Sequence, residues 1–268
     1  MKPMIGFGDP LLDGPDSRYA KLAQLARDKQ RCHGGSSQTV AAVMGSRSVT
    51  PIEIGSGLAK VSHIRTQVPL PETADELCAV AGDLKADVKE MRLGARATER
   101  EVKALSENGQ LADYRVVHFA THGAMAGQLR GTAEPGLVLT PPAEASAEDD
   151  GYLSASEIAG LKLDADWVIL SACNTAAGEA DGAQALSGLA RAFFYAQARA
   201  LLASHWAVNS AATVRLITVA MREMSQDQSV GRAEALRRAM LTLIDKGEPQ
   251  EAHPAYWAPF IVVGEGAR

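Results

Sequence analysis

The chain has 268 residues, 46% hydrophobic and 22% charged, an ordinary balance for a globular protein long enough to bury a sizeable core. A formal net charge of -5 argues against nucleic acid as a partner, because phosphate recognition needs concentrated Lys and Arg. No apolar run reaches bilayer-spanning length and Met1–Pro10 has no signal-peptide hydrophobic region, so no membrane partner and a cytoplasmic location are expected.

In chain order, residues 4–8 form a short strand that ends at Gly8-Asp9-Pro10. Residues 11–70 are loop-rich and weakly patterned, with a helical stretch around Ser17–Gln30. Gly55–Lys60 lacks the Gly-x-x-x-x-Gly-Lys-Ser/Thr spacing of a phosphate loop and reads as a plain loop. Beyond Pro71 the pattern is regular. A helix over Glu72–Leu84 puts Leu77, Val80, Ala81 and Leu84 on one face. A strand is expected over Val88–Leu93, and Thr98 with Glu101 makes a capping-box start for the next helix. Arg115–Ala120 is a strand, acidic Glu144–Gly151 a solvated loop, Ser154–Gly160 a short helix and Asp166–Ser171 a strand. Gln184–Gln197 is an amphipathic helix, Arg199–Trp206 a strand, Ala211–Met224 and Arg232–Ile244 helices, and Phe260–Val263 a final strand. Short, continuously apolar strands alternating with helices predict an α/β fold whose mainly parallel sheet is covered on both faces.

Ligands of such sheets bind beyond the carboxyl ends of the strands. Three segments fall there: His118-Phe119-Ala120-Thr121-His122-Gly123, Leu170-Ser171-Ala172-Cys173-Asn174-Thr175, and Ser204-His205-Trp206. A thiol beside an imidazole is what nucleophilic thiolate chemistry requires. Gly123 lets backbone approach a substrate closely, and its N–H with that of Cys173 makes a plausible oxyanion hole. Read singly, Cys173 and His122 are each more often structural, since Cys is among the most buried residue types. His118, inside an apolar strand, reads as a satisfied core residue, although regular continuation of that strand would put it on one side with His122. The three cysteines, Cys32, Cys78 and Cys173, are an odd number without paired spacing. No disulfide is expected, and a reducing compartment suits them. No His/Cys spacing completes a metal set.

Taken together, these segments resemble the CHAT domain, a relative of caspases and separase among the clan CD cysteine peptidases. The resemblance is carried by Val116–Gly123, Gly136–Thr140, Leu153–Ile158, Leu170–Thr175, Leu186–Phe194 and His253–Phe260, and covers about Leu70 to Gly264 in order. It implies a single CHAT domain with the caspase–hemoglobinase three-layer sandwich, and a cysteine endopeptidase with His122 and Cys173 as its dyad, both present. It implies no cofactor and no metal. The partners it implies are a peptide or protein substrate and an upstream TPR or regulatory module. The earlier Pro-Phe-containing strand pair of the family is not seen before Gly6, which raises the prospect of an exposed sheet edge that recruits another copy. Relatives carry acids just after the Trp of the strand that follows the nucleophile, where this chain has Trp206-Ala207-Val208-Asn209-Ser210. The substrate pocket is therefore assigned to Ser204, His205 and Trp206, with Glu179 and Asp181 as alternative sources of negative charge. A regulatory or scaffold module with little proteolysis is the rival reading.

Overall fold

The computed structural model describes residues 1–32, 52–55, 57–124, 129–130, 134–172, 188–206 and 208–267, of which 52–55 and 129–130 are described as backbone. Six strands form the central sheet: β1 (Lys2–Gly8), β2 (Met91–Leu93), β3 (Tyr114–Ala120), β4 (Trp167–Leu170), β5 (Ala200–Ser204) and β6 (Phe260–Gly264). Their spatial order is β2-β1-β3-β4-β5-β6, parallel throughout except for β6, which runs antiparallel to β5. The expected mainly parallel three-layer α/β sandwich is therefore present.

Both faces are buried, which explains why these strands read as continuous apolar runs. Side chains alternate with the strand period of two. Met4, Ala120, Trp167, Ile169, Ala200 and Leu202 face one core. That core is closed by helices α1 (Glu72–Asp83), α2 (Ser210–Gln226) and α3 (Arg232–Lys246). Ile5, Phe7, Val117, Phe119, Val168, Leu170 and Leu201 face the other, under helices over Glu99–Glu107, Ala155–Ala159 and Gly188–Tyr195. Phe7 stacks on Phe119 at 5.2 Å, and Phe119 touches Phe193 at 5.7 Å, so the second layer is locked by aromatic contact. Gly8 lets α1 close on the sheet: a Cβ there would lie 2.7 Å from Leu77 and 2.8 Å from the Ala120 carbonyl.

The chain runs outward from β1 to β2 and then crosses back to β3, so the winding direction reverses between β1 and β3. A crevice opens at such a switch point, outside the carboxyl ends of the strands. β1 is flanked on both sides; the edges are three-residue β2 and β6.

Several local expectations need correction. Val88–Glu90 is a 3-10 turn, started by the Asp87 carboxylate on the Lys89 N–H, and only Met91–Leu93 is strand. Thr98 does cap the helix over Glu99–Glu107, but Glu101 bonds Arg92 at 2.8 Å instead of completing the box. A guanidinium offers a carboxylate a stronger bond than a neutral amide does. Gly55–Lys60 is not all plain loop: Ile52–Gly55 and Leu58–Ala59 pair antiparallel, with Ile54 opposite Ala59, Gly55 opposite Leu58, and Gly57 at φ +84°. Glu144–Gly151 is solvated only in part: Asp149 and Asp150 are buried. Asp150 accepts from the N–H groups of Ala59 and Tyr152, while buried Glu99 accepts from those of Asp150 and Gly151 and pairs with Lys103. Burial makes backbone donors demand acceptors, and the acids answer that demand. The start of the expected Gln184–Gln197 helix lies outside the described residues, which hold Gly188–Tyr195.

The largest correction concerns the cysteines. Cys32 and Cys78 form a disulfide across 46 residues, fastening the end of the N-terminal segment to α1. It removes the ground on which a reducing compartment was inferred, three unpaired thiols. Spacing gave no hint because the two meet only when the segment folds over the sheet. Among the described residues no helix is long and apolar enough to cross a membrane.

Candidate active site

β3 ends at Ala120, and after Thr121 the chain leaves the central sheet. His122–Ala124 pairs instead with Gly136–Val138, His122 standing opposite Val138 and Gly123 opposite Leu137. Thr121 Oγ1 donates to the Val138 carbonyl at 2.5 Å and fixes the departure. The regular continuation that would have aligned both histidines is thus broken at Thr121.

His118 stays in the sheet, with Nε2 2.8 Å from Glu76 Oε1 of α1, both side chains fully buried. His122 is also fully buried, and its Nε2 lies 2.7 Å from the Val68 carbonyl. A carbonyl only accepts, so Nε2 carries the proton and the basic lone pair of the neutral ring belongs to Nδ1.

The carbonyl is itself held in place. Asp13 N–H donates to Arg65 O and Gly14 N–H to Gln67 O, two bonds that pin the segment just before it. Val68-Pro69-Leu70-Pro71 then carries two X-Pro steps, each restricting the preceding residue to extended backbone. These prolines were the available sequence signal for an anchor that no side chain advertises.

From Val68 the chain leads directly to a second group at the switch point. Thr73 Oγ1 donates to the Leu70 carbonyl at 2.7 Å and accepts from the Asp9 N–H at 2.8 Å. Asp9 directly follows β1, whose last residue Gly8 is in register with Ala120. Its φ is +50°, a left-handed conformation that Asp tolerates better than most residues. The carboxyl is fully buried, and burial first, then Glu72, pushes its pKa well above the ordinary range.

On the far side, Ser171 N–H continues the ladder by donating to Phe119 O at 2.9 Å, and buried Ala172 follows. Cys173 comes next, and with Glu179 and Asp181 it lies outside the described residues. The disulfide leaves Cys173 as the cysteine outside that bond. Ser204, the last residue of β5, is fully buried and donates to the Ala172 carbonyl at 2.7 Å. It holds the backbone that leads into Cys173, a task different from lining a pocket. His205 and Trp206 are exposed beyond it, Trp206 at 44%.

The polar residues at 209 and 210 also acquire roles. Asn209 caps α2 by accepting from the Ala212 N–H, and Ser210 donates to Glu72 at the start of α1. Neither Glu72 nor Asp9 stood out in the sequence as a site residue, although Gly8-Asp9-Pro10 marked a strand end. Among the described residues no group of His, Cys, Asp and Glu could hold a metal ion.

With this arrangement described, the comparisons are direct. The CHAT domain model matches residues 10–265, and the chain belongs to the CHAT domain family. The match reaches back to residue 10, far beyond the stretch from Leu70 recognised by motif. No curated protein matches. Among solved structures, the complex of Porphyromonas gingivalis RgpB pro- and mature domains is similar over 92% of this chain and 52% of that one, at 10% identity and a TM-score of 0.46. The Arg specific cysteine proteinase gingipain R is similar over 92% of this chain and 51% of that one, again at 10% identity and a TM-score of 0.46. The chain thus spans about half the length of these structures.

Proposed function

We propose that this chain is a cysteine endopeptidase that cleaves peptide bonds through Cys173 and His122. The observation that carries the reading is the bond between His122 Nε2 and the Val68 carbonyl, 2.7 Å long and inside the protein. It fixes the tautomer a thiol partner requires: Nε2 keeps its proton while Nδ1 takes the proton of Cys173. The thiolate then attacks the peptide carbonyl, and backbone N–H groups of Gly123 and Cys173 hold the oxyanion. The imidazolium returns its proton to the departing amine. Water, deprotonated by the same ring, hydrolyses the thioester and releases the acid and the thiol. No cofactor enters these steps. Family membership supports the reading, as does the sequence order in which His122 follows β3 and Cys173 follows β4, two strands that are adjacent and parallel.

The test is thiol alkylation near neutral pH, combined with a peptide library assayed on wild type, Cys173→Ala and His122→Ala. Cys173 is expected to react much faster in wild type than in His122→Ala, with cleavage lost in both variants. Failure of every peptide to show Cys173-dependent cleavage would favour a partner-binding module.

A further inference from the structure

The Cys32–Cys78 disulfide has no task in that mechanism, yet it closes a line of contacts that ends at His122. Cys32 lies at the end of the 9–32 segment that follows β1, and within this segment Arg27 pairs with Asp13. Asp13 and Gly14 in turn donate their N–H groups to the Arg65 and Gln67 carbonyls at 2.7 and 3.1 Å. Val68, the next residue, holds His122 Nε2. The remaining ties of the segment are modest. Leu12 is fully buried, but the helix over Ala20–Asp28 has nine residues, of which Ala23 and Ala26 are buried. A helix that short is marginal on its own. Lys29 and Asp75 form a part-exposed pair, and such pairs contribute little. Gln30 adds one long bond, 3.3 Å, from the Ala95 N–H. α1 is held differently. Leu77 and Val80 are fully buried and Glu76 meets His118 inside the core, so the helix that carries Cys78 stays in place without the bond. Both cysteines are half-buried, within reach of a small reductant.

We infer that this disulfide is a redox switch for the His122 anchor: closed, it holds the 9–32 segment against Arg65–Val68; opened by a dithiol reductant, it lets that segment and the anchor loosen. The catalytic consequence rests on the peptidase reading. Opening proceeds by thiol–disulfide exchange. A thiolate of the reductant attacks one sulfur and expels the other as a thiolate, and the second thiol of the reductant then resolves the mixed disulfide. Two electrons and two protons pass to Cys32 and Cys78, which become thiols, while the dithiol becomes a disulfide. Cys78 stays on α1, and Cys32 is free to leave with its short helix. A weakly packed segment can open in this way while the core keeps its fold. Asp13 and Gly14 then release Arg65 and Gln67, His122 Nε2 loses its fixed acceptor, and the ring loses the orientation the mechanism requires. The oxidised form is therefore the active one.

The experiment compares wild type with the bond intact, wild type reduced by dithiothreitol, and the Cys32→Ser/Cys78→Ser variant, each checked for folding by circular dichroism. Thiol counts of one for the intact protein and three after reduction define the two wild-type states. In the reduced protein and the variant, hydrogen exchange at Asp13, Gly14 and the His122 ring N–H should be faster by about 10-fold or more, with β3, β4 and α1 unchanged. For a cleaved peptide, kcat/KM should fall by about 10-fold or more on reduction and return on reoxidation. In the variant it should be low and insensitive to dithiothreitol. If the variant does not fold, the reversible cycle of wild type carries the test. Equal exchange at those three sites in the intact and reduced states overturns the switch, and so does faster exchange throughout β3 and β4, which reports global unfolding. Cys173-dependent cleavage that ignores the state of the bond overturns the switch and leaves the peptidase reading intact. Redox-dependent exchange at the three sites, without Cys173-dependent cleavage of any peptide, overturns the peptidase reading and keeps the switch on the anchor.

Discussion

The hydroxyl of Ser204, on the last residue of β5, donates to the carbonyl of Ala172, 2.7 Å away on the neighbouring chain segment. Cys173 is the next residue, so one buried hydroxyl tethers the backbone that delivers the proposed nucleophile. Ser204→Ala should cost only about 1 kcal/mol of stability, the net worth of one hydrogen bond. Its effect on kcat should be larger, about 10-fold or more, because small displacements at a reacting centre are expensive. Urea unfolding and steady-state kinetics separate the two, and Ser204→Thr should recover much of the rate. Full activity in Ser204→Ala would show that the tether is dispensable.

A second prediction concerns the disulfide. Denatured without reductant, the protein should titrate with one free thiol per chain; with reductant, three, matching the cysteine count. Closing a 46-residue loop restricts the unfolded chain, so replacing Cys32 and Cys78 with Ser should lower stability by about 2–4 kcal/mol. Three thiols before reduction would refute the bond.

Asp9 makes stability depend on pH in a direction opposite to that of most carboxylates. Its folded pKa is raised above the unfolded 3.8, by burial first and then by Glu72. Below that value both states hold the proton and the contribution is fully present. Above it the unfolded state releases the proton first, so the contribution is lost at about 1.4 kcal/mol per pH unit until the folded group titrates. Asp9→Asn copies the protonated form. It should match wild type near pH 3.8 and become progressively more stable than wild type above it. Chemical denaturation across that range provides the check; parallel stability curves for the two proteins would contradict it.

His118 and Glu76 form the buried pair beneath the site. Removing one member strands the other, so Glu76→Ala should destabilise by about 3–5 kcal/mol, and Glu76→Gln by clearly less because it keeps an acceptor. A loss under about 1 kcal/mol for Glu76→Ala would place the pair outside the stabilising core.

The sequence by itself determined the layers of this protein. Strand period, continuous apolar runs and the cap at Thr98 are short-range properties, each expressed within a few residues, so they are legible along one dimension. The two apolar runs that precede His122 and Cys173 were legible for the same reason, and they are adjacent parallel strands, β3 and β4. Tertiary structure decided what each group touches. His118 and His122 share strand parity, yet Thr121 bonds Val138 and sends them to different partners. Cys32 meets Cys78, Val68 meets His122, and Asp9 meets Thr73 across separations that packing alone closes. Ser210 meets Glu72 across 138 residues, a contact that spacing along the chain does not announce. The state of a buried group depends on its surroundings in three dimensions, and that is why the His122 anchor and the enclosed Asp9 carboxyl emerged only in the fold.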